Sequence, residues 1–214
     1  GKPVIRGLGY NRVLVYGLGT RIENQQWGDE HGLGLSDMGV ERVEIIKGPS
    51  SLLYGSDAMG GVMHLIEEKP ANVGTIVGDY NGSFSSNTLG YSTNAGIKAS
   101  SKKVRFRLRA GTESHADYMQ GNGLRVSNSR FKGSAIKSSL GYTNHKISST
   151  VNANYINSLV GIPEGIDEQV TERIPEPSYQ NLKTLVTSTQ NTIFLGNSHR
   201  QEHLINYRMP YIRA

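Results

Sequence analysis

Residues 39–69 read GVERVEIIKGPSSLLYGSDAMGGVMHLIEEK. Val40, Val43, Ile45 and Ile46, set among Glu41, Arg42, Glu44 and Lys47, open the stretch as a short half-apolar strand. Gly48-Pro49 then stops it. Proline suits the first position of a helical turn, because its missing N–H is one the turn does not use. Ser50, Ser51, Leu52, Leu53 and Tyr54 supply about one such turn. Gly55, Ser56 and Asp57 end it, and Gly60-Gly61 lets a new strand begin at Val62. Strand, Gly-Pro, short turn, Tyr-Gly-Ser, Gly-Gly, strand is a specific order of residue types.

That order, from Val43 to Val62, resembles the C-terminal half of the plug domain of TonB-dependent outer-membrane receptors. The family pattern runs roughly Val-Glu-Val-Ile-(Arg/Lys)-Gly-Pro-x-Ser-x-x-Tyr-Gly-x-x-Ala-x-Gly-Gly-Val-Ile-Asn. Met63 and His64 depart from its last two positions. Upstream, PVIRG at residues 3–7 and RVLVYG at residues 12–17 resemble the family's paired short strands, with Tyr16 where Asp or Asn is usual. The close match covers residues 3–69. Beyond it the likeness is one of pattern, to the first strands of the family's barrel. The resemblance implies an active importer in the outer membrane of a Gram-negative bacterium. Its barrel has about 22 strands around a plugged lumen. The TonB complex is its partner, and the ligand is scarce: a ferric siderophore, haem, a metal ion or cobalamin.

Composition agrees with a wet barrel. Hydrophobic residues make up 36%, with 26 glycines and 11 tyrosines. No run of 18 apolar residues offers a spanning helix. With no cysteine, the chain has no disulfide framework and no thiolate metal site. The net charge of +5 comes from dispersed basic residues that alternate with apolar ones, so no nucleic-acid partner is expected. Residues 1–20 lack a charged start followed by an apolar core, so the chain is expected to be a fragment of a longer receptor.

After residue 69 the grammar changes. Residues 70–79 are expected as a linker, opened by Pro70. Segments of period two follow: 79–85, 89–97, 103–112, 134–142, 147–155 and 184–195. The clearest sets Val104, Phe106, Leu108 and Ala110 against Arg105, Arg107 and Arg109. Each is near the roughly 9–11 residues that cross a bilayer when tilted. Short turns such as 99–102 and 144–145 alternate with long stretches, 117–128 and 159–180. The expected fold is therefore mainly β: a partial transmembrane antiparallel β-barrel, open as a sheet in this fragment, with a small α+β plug domain. The domains are 1–69 for the plug and 80–214 for five or six barrel strands.

The sites follow from residue chemistry. Residues 23–35, ENQQWGDEHGLGL, form a polar, glycine-rich loop. Trp27, Asp29, Glu30 and His31 are its expected ligand-binding residues, and Asp29, Glu30 and His31 suit a borderline metal. No resident cofactor is expected; the transported ligand is a metal or metal complex. Arg105, Arg107 and Arg109 are expected to pair with plug carboxylates such as Glu41 and Glu44, and Arg42 with barrel acids. Glu67 and Glu68 read as a structural strand end. His199 and His203 read as a surface pair. Nothing resembles a catalytic constellation: no Gly-x-Ser-x-Gly elbow and no His-Glu-x-x-His helix occurs, so an enzyme is not expected. Two rivals stand beside the importer. One is a passive porin or adhesin barrel. The other is a soluble nucleotide-binding or all-β enzyme, suggested by VLVYGLG; Ile22 stands there in place of a third glycine.

Overall fold

The structure is a computed structural model that describes residues 3–22, 35–55, 57–163, 165–167, 169–195 and 200–213. Two sheets carry the described residues. The small one has the order β2-β1-β4-β3, and the large one has seven strands in meander order, β11 through β5.

In the small sheet, β1 (Val13–Gly17) lies parallel to β4 (Gly61–Glu67). β2 (Thr20–Ile22) and β3 (Val40–Ile46) flank them antiparallel. The β1–β2 turn places Leu18 and Gly19 at φ 55° and 72°, the left-handed pair that a two-residue hairpin needs. Gly48–Tyr54 forms a 3-10 helix, the turn expected after Gly48-Pro49. Leu14, Ala58 and Val62 make the apolar centre, with Tyr16, Ile46 and Tyr54 packed around it. The Tyr16 and Tyr54 rings meet edge to face at 5.1 Å. The Ser51 hydroxyl lies 2.8 Å from the carbonyl oxygens of both Gly48 and Ala58, fixing the helix over the following turn. Gly60-Gly61 is compelled by crowding. A Cβ on Gly60 would stand 2.9 Å from the Arg12 carbonyl oxygen. One on Gly61, at φ 131°, would stand 2.8 Å from that of Ile46.

The large sheet comprises β5 (Thr75–Ser85), β6 (Gly90–Ser100), β7 (Val104–His115), β8 (Phe131–Thr143), β9 (Ile147–Gly161), β10 (Tyr179–Phe194) and β11 (Arg200–Arg213). All six pairings are antiparallel. β5 begins inside the stretch expected as linker. β11 is a seventh strand, where five or six were expected. Pro210 hid it: proline breaks a strand pattern, yet here it sits at the rim of the sheet opposite Thr184, where a missing N–H is tolerated.

Partners in an antiparallel ladder share a face. One such row reads Tyr80, Ala95, Ala110, Ile136, Tyr155, Leu185 and Met209 across all seven strands. Its large side chains are exposed except Leu185, which is half-buried; Ile136 is 51% accessible and Tyr80 73%. The neighbouring row on the opposite face reads Asp79, Gly96, Arg109, Lys137, Asn154, Val186 and Arg208. Arg109, Lys137 and Asn154 are each only 6% accessible. The sheet is thus inverted relative to a water-soluble protein: apolar residues point away from the rest of the molecule, and charged ones point toward it.

The small sheet sits against that charged face. Met38 packs on Ala135 and Ile156. Leu204 approaches Gly19, and Asn206 donates to the Gly19 carbonyl at 3.0 Å. The turns between β6 and β7 and between β8 and β9 have three residues each, whereas residues 116–130 and 162–178 form long loops at the other end.

Candidate functional site

The two sheets are joined through a cluster of ions at the end of β4. Arg109 is its centre. A guanidinium carries five N–H donors in a fixed plane, and all five are used. Nε and Nη2 donate to the two oxygens of Glu68 at 3.0 and 3.2 Å. Nη1 and Nη2 donate to the two oxygens of Asp79 at 2.8 and 2.7 Å. The second Nη1 hydrogen goes to Asn94 Oδ1 at 2.6 Å. Glu68 follows the small sheet, while Asp79 and Asn94 belong to the wall, so one side chain rivets the two bodies. Gly96 makes the room: a Cβ there would stand 2.6 Å from Arg109 Cζ.

Glu67 is the second anchor. Arg107 bonds its carboxylate and also the Glu68 carbonyl oxygen. Asn154 Nδ2 donates to Glu67 Oε1 at 2.8 Å, and Lys137 Nζ lies 3.7 Å from the same oxygen. Lys137 also donates to the Ser36 carbonyl at 3.0 Å. Lys98 donates to Glu68 Oε2 at 3.1 Å. Burial pushes the Glu68 carboxyl up, and the hydrogen bonds and charges of Arg109 and Lys98 outweigh it, leaving the pKa below its ordinary value. Two adjacent acids are therefore held by four cations from β6, β7 and β8. Paired and hydrogen-bonded in this way, the charges offset their loss of water; any one left alone would not.

The long loops form a second structured region. Asp117 and Arg130 are buried against each other, at 0% and 1% accessibility. Asp117 Oδ1 accepts from the Arg130 backbone N–H at 2.8 Å and from its Nε at 3.2 Å. Asn128 donates to the carbonyls of Ile162 and Ser178 at 3.2 and 3.0 Å, and Arg125 N–H donates to Gln169 at 2.7 Å. The two loops are thus tied to one another.

Comparison with known proteins agrees with this architecture. A family described as the TonB-dependent receptor plug domain matches residues 1–62. The chain's first 62 residues thus match a TonB-dependent receptor plug domain. An iron-regulated outer membrane virulence protein of Vibrio cholerae is 42% identical over 72 residues, which is 30% of this chain and 11% of that protein. The vitamin B12 transporter BtuB of Vibrio vulnificus is 43% identical over 65 residues, 29% of this chain and 10% of the transporter. The chain therefore spans about a tenth of the length of the curated relatives it matches. The solved copper transporter OprC superposes with a TM-score of 0.75 over 97% of this chain and 31% of its own, at 18% identity; that is a likeness of fold.

Within this receptor fold the small sheet is the plug and the large one the wall. Trp27, Asp29, Glu30 and His31 lie outside the described residues, and so does His199. Among the described residues no group of three or more His, Asp or Glu is placed to hold a metal. Arg107 and Arg109 reach the plug through Glu67 and Glu68 rather than through Glu41 and Glu44. Among the described residues, Arg42 and Glu44 do not reach the wall. They stand two apart on one strand, hence on one face, and bond each other at 2.8 Å; Glu41 lies 3.5 Å from Lys69. Arg105, one step nearer the start of β7, spends its guanidinium within the wall, on Thr143 Oγ1 at 2.8 Å. Lys98, Lys137 and Asn154 were not singled out in the sequence. The inward phase of their strands was the one signal that could have found them.

Proposed function

We propose that this chain supplies the plug and first wall strands of an outer-membrane receptor that imports a scarce metal or metal complex, a ferric siderophore, haem, metal ion or cobalamin, with energy delivered through TonB. The observation that carries the reading is the inverted wall with a folded plug fastened to its charged face. Backbone in lipid must be fully paired, so such a wall is completed by further strands into a closed barrel. A passive pore has no use for an obstruction bonded across its lumen at Glu67 and Glu68. Names of the relatives that mention iron, vitamin B12 and copper support scarce cargo as a class without choosing among its members.

Trp27, Asp29, Glu30 and His31, in the sequence that follows β2, are proposed as the plug's ligand contacts. The test uses the full-length receptor in cells lacking their other iron and cobalamin receptors, supplied in turn with ferric siderophores, haem, cobalamin and copper. One member of the panel is expected to support uptake that requires both TonB and the proton-motive force. Asp29→Ala with His31→Ala is expected to lower that uptake at least tenfold, the least that even an outer-shell partner of a metal contributes. Uptake that persists without TonB rejects the importer. Unchanged uptake of the active cargo by the double variant rejects the loop residues alone.

A further inference from the structure

The charged face of the wall has one rung more than the plug occupies. Arg109, Arg107 and Arg105 stand at every second position of β7, so they line one face about 7 Å apart. The first two hold Glu68 and Glu67. Arg105, nearest the short turns, holds neither. Its side chain is half-buried and has one hydrogen-bond partner among the described residues, Thr143 Oγ1 at 2.8 Å, and no ion pair. Most of its five donors are therefore open to another group. Gly141, opposite it in the ladder, leaves it room: a Cβ there would stand 3.0 Å from Arg105 Nε.

β9 repeats the pattern. Asn154, which donates to Glu67 at 2.8 Å, is preceded by Asn152, two positions nearer the short turns and on the same face. The register joins Arg109 to Lys137 to Asn154, and Arg107 to Ser139 to Asn152. Glu67 is thus held by Asn154 and by the arginine one row below it, Arg107. Asn152 and Arg105 reproduce that pair one row lower. At rest Asn152 donates to a neutral group, Ser188 Oγ, at 3.1 Å.

The connection between plug and wall permits a step of one row. The Lys69 carbonyl oxygen lies 3.4 Å from Lys98 Nζ, and the Gly74 N–H already donates to the Ser100 carbonyl at 2.7 Å. A chain from 69 to 74 can span about 17 Å when extended, yet Lys98 and Ser100 are only about 7 Å apart along β6. Moving Glu68 toward Ser100 shortens this gap. Pro70, Ala71 and Val73 make no hydrogen bond among the described residues, so the connection is free to fold up. The vacated row is not left with a lone guanidinium, because Arg109 keeps both oxygens of Asp79.

We propose that Arg105 and Asn152 form a second seat for the plug's acids. Glu67 enters it as Glu68 passes from Arg109 to Arg107 while the plug is drawn toward the short turns, the periplasmic side of such a wall. The inference rests on the TonB-driven reading above and adds to it a stopping place that keeps the displaced plug in register with the wall. A carboxylate leaving the clamp then finds a new partner at once and never stands unpaired between the sheets. Arg105 and Asn152 are positioning residues for the import cycle.

The test is a cross-link in the full-length receptor. This chain has no native cysteine. Lys69→Cys and Lys102→Cys put one thiol beside the clamp and one on the short turn next to Arg105, both at exposed positions. Cells supplied with a mixture of ferric siderophores, haem, cobalamin and copper are treated with a short bismaleimide, with and without TonB. Cross-linking is expected to speed up when TonB and the proton-motive force act. Arg105→Gln is expected to cut that increase about tenfold, the worth of a hydrogen bond to a charged group. Asn152→Ala is expected to cut it about threefold, and Arg105→Lys to restore most of it. Hydrogen-exchange protection of residues 67–69 without TonB is expected to match in wild type and Arg105→Gln, since Arg105 does not touch the resting clamp. Lost protection there would mark a merely structural role and overturn the proposal. An increase that is equal in wild type, Arg105→Gln and Asn152→Ala, or no increase in cells that do import cargo, also overturns it. If Arg105→Gln fails to assemble, Asn152→Ala decides by the same criterion. Uptake that persists without TonB sinks the importer reading instead, so the two failures are told apart.

Discussion

Arg109 concentrates the argument at the level of single side chains. Its five donors are all engaged, so Arg109→Ala strips partners from Glu68, Asp79 and Asn94 together. Removing one member of a largely buried ion cluster costs about 3 kcal/mol, and the loss should appear as faster hydrogen exchange around residues 67–69 while the wall strands stay protected. Arg109→Lys should recover only part, since an ammonium cannot serve two carboxylates in one plane. The clamp also responds to acid. Because the Glu68 pKa is lowered in the folded protein, its contribution is fully present above the ordinary value of 4.5 and is lost as pH falls through the lower folded value. Protection of residues 67–69, corrected for the chemical rate, should hold from pH 7 to 5 and fall below 4.5; in Arg109→Ala this step should be much smaller. The arginines of β7 were legible in the sequence because period two exposes them. Their partners were not: Glu67 and Glu68 look like any polar strand end until the small sheet is seated against β7, some forty residues away in sequence.

A strand in this wall has two unlike faces, and substitutions should obey them. Ile136 lies between Ala110 and Tyr155 in the outward apolar row. Ile136→Arg should cost about 2–4 kcal/mol, the usual price of a basic residue near the bilayer midplane. Asn152→Arg, on the inward face beside Ser139 and Ser188, should cost far less. The fraction of full-length receptor that assembles into a heat-modifiable barrel measures both; equal losses would contradict the assigned phase. The strand interiors could be read from alternation alone. Their ends could not, because residues such as Gly90, Gly133 and Gly161 are selected for close contact rather than for hydropathy: a Cβ at Gly161 would lie 2.3 Å from the Asn128 carbonyl oxygen. β11 was lost for a related reason, its Pro210 being acceptable only to a strand at the sheet's rim.

In the whole molecule, the described residues hold the plug at three places on a wall that faces lipid. The ion cluster at Glu67 and Glu68, the Met38 contact and the β1–β2 hairpin against β11 are those places. The plug half of this plan was readable from one glycine-studded motif, because few chains need that order of turns. The seam was not readable, since it exists only when two sheets are brought together. Cysteine scanning of β7 reads out which face of the wall meets lipid, and the chain's lack of native cysteine keeps each label unique within it. Spin labels placed singly at 104 through 110 in the full-length receptor, reconstituted in lipid, report collision with oxygen and with a water-soluble nickel chelate. Strong oxygen contact is expected at 104, 106, 108 and 110, with low contact by either reagent at 105, 107 and 109. Nickel contact at the even positions, or a profile without period two, would contradict it.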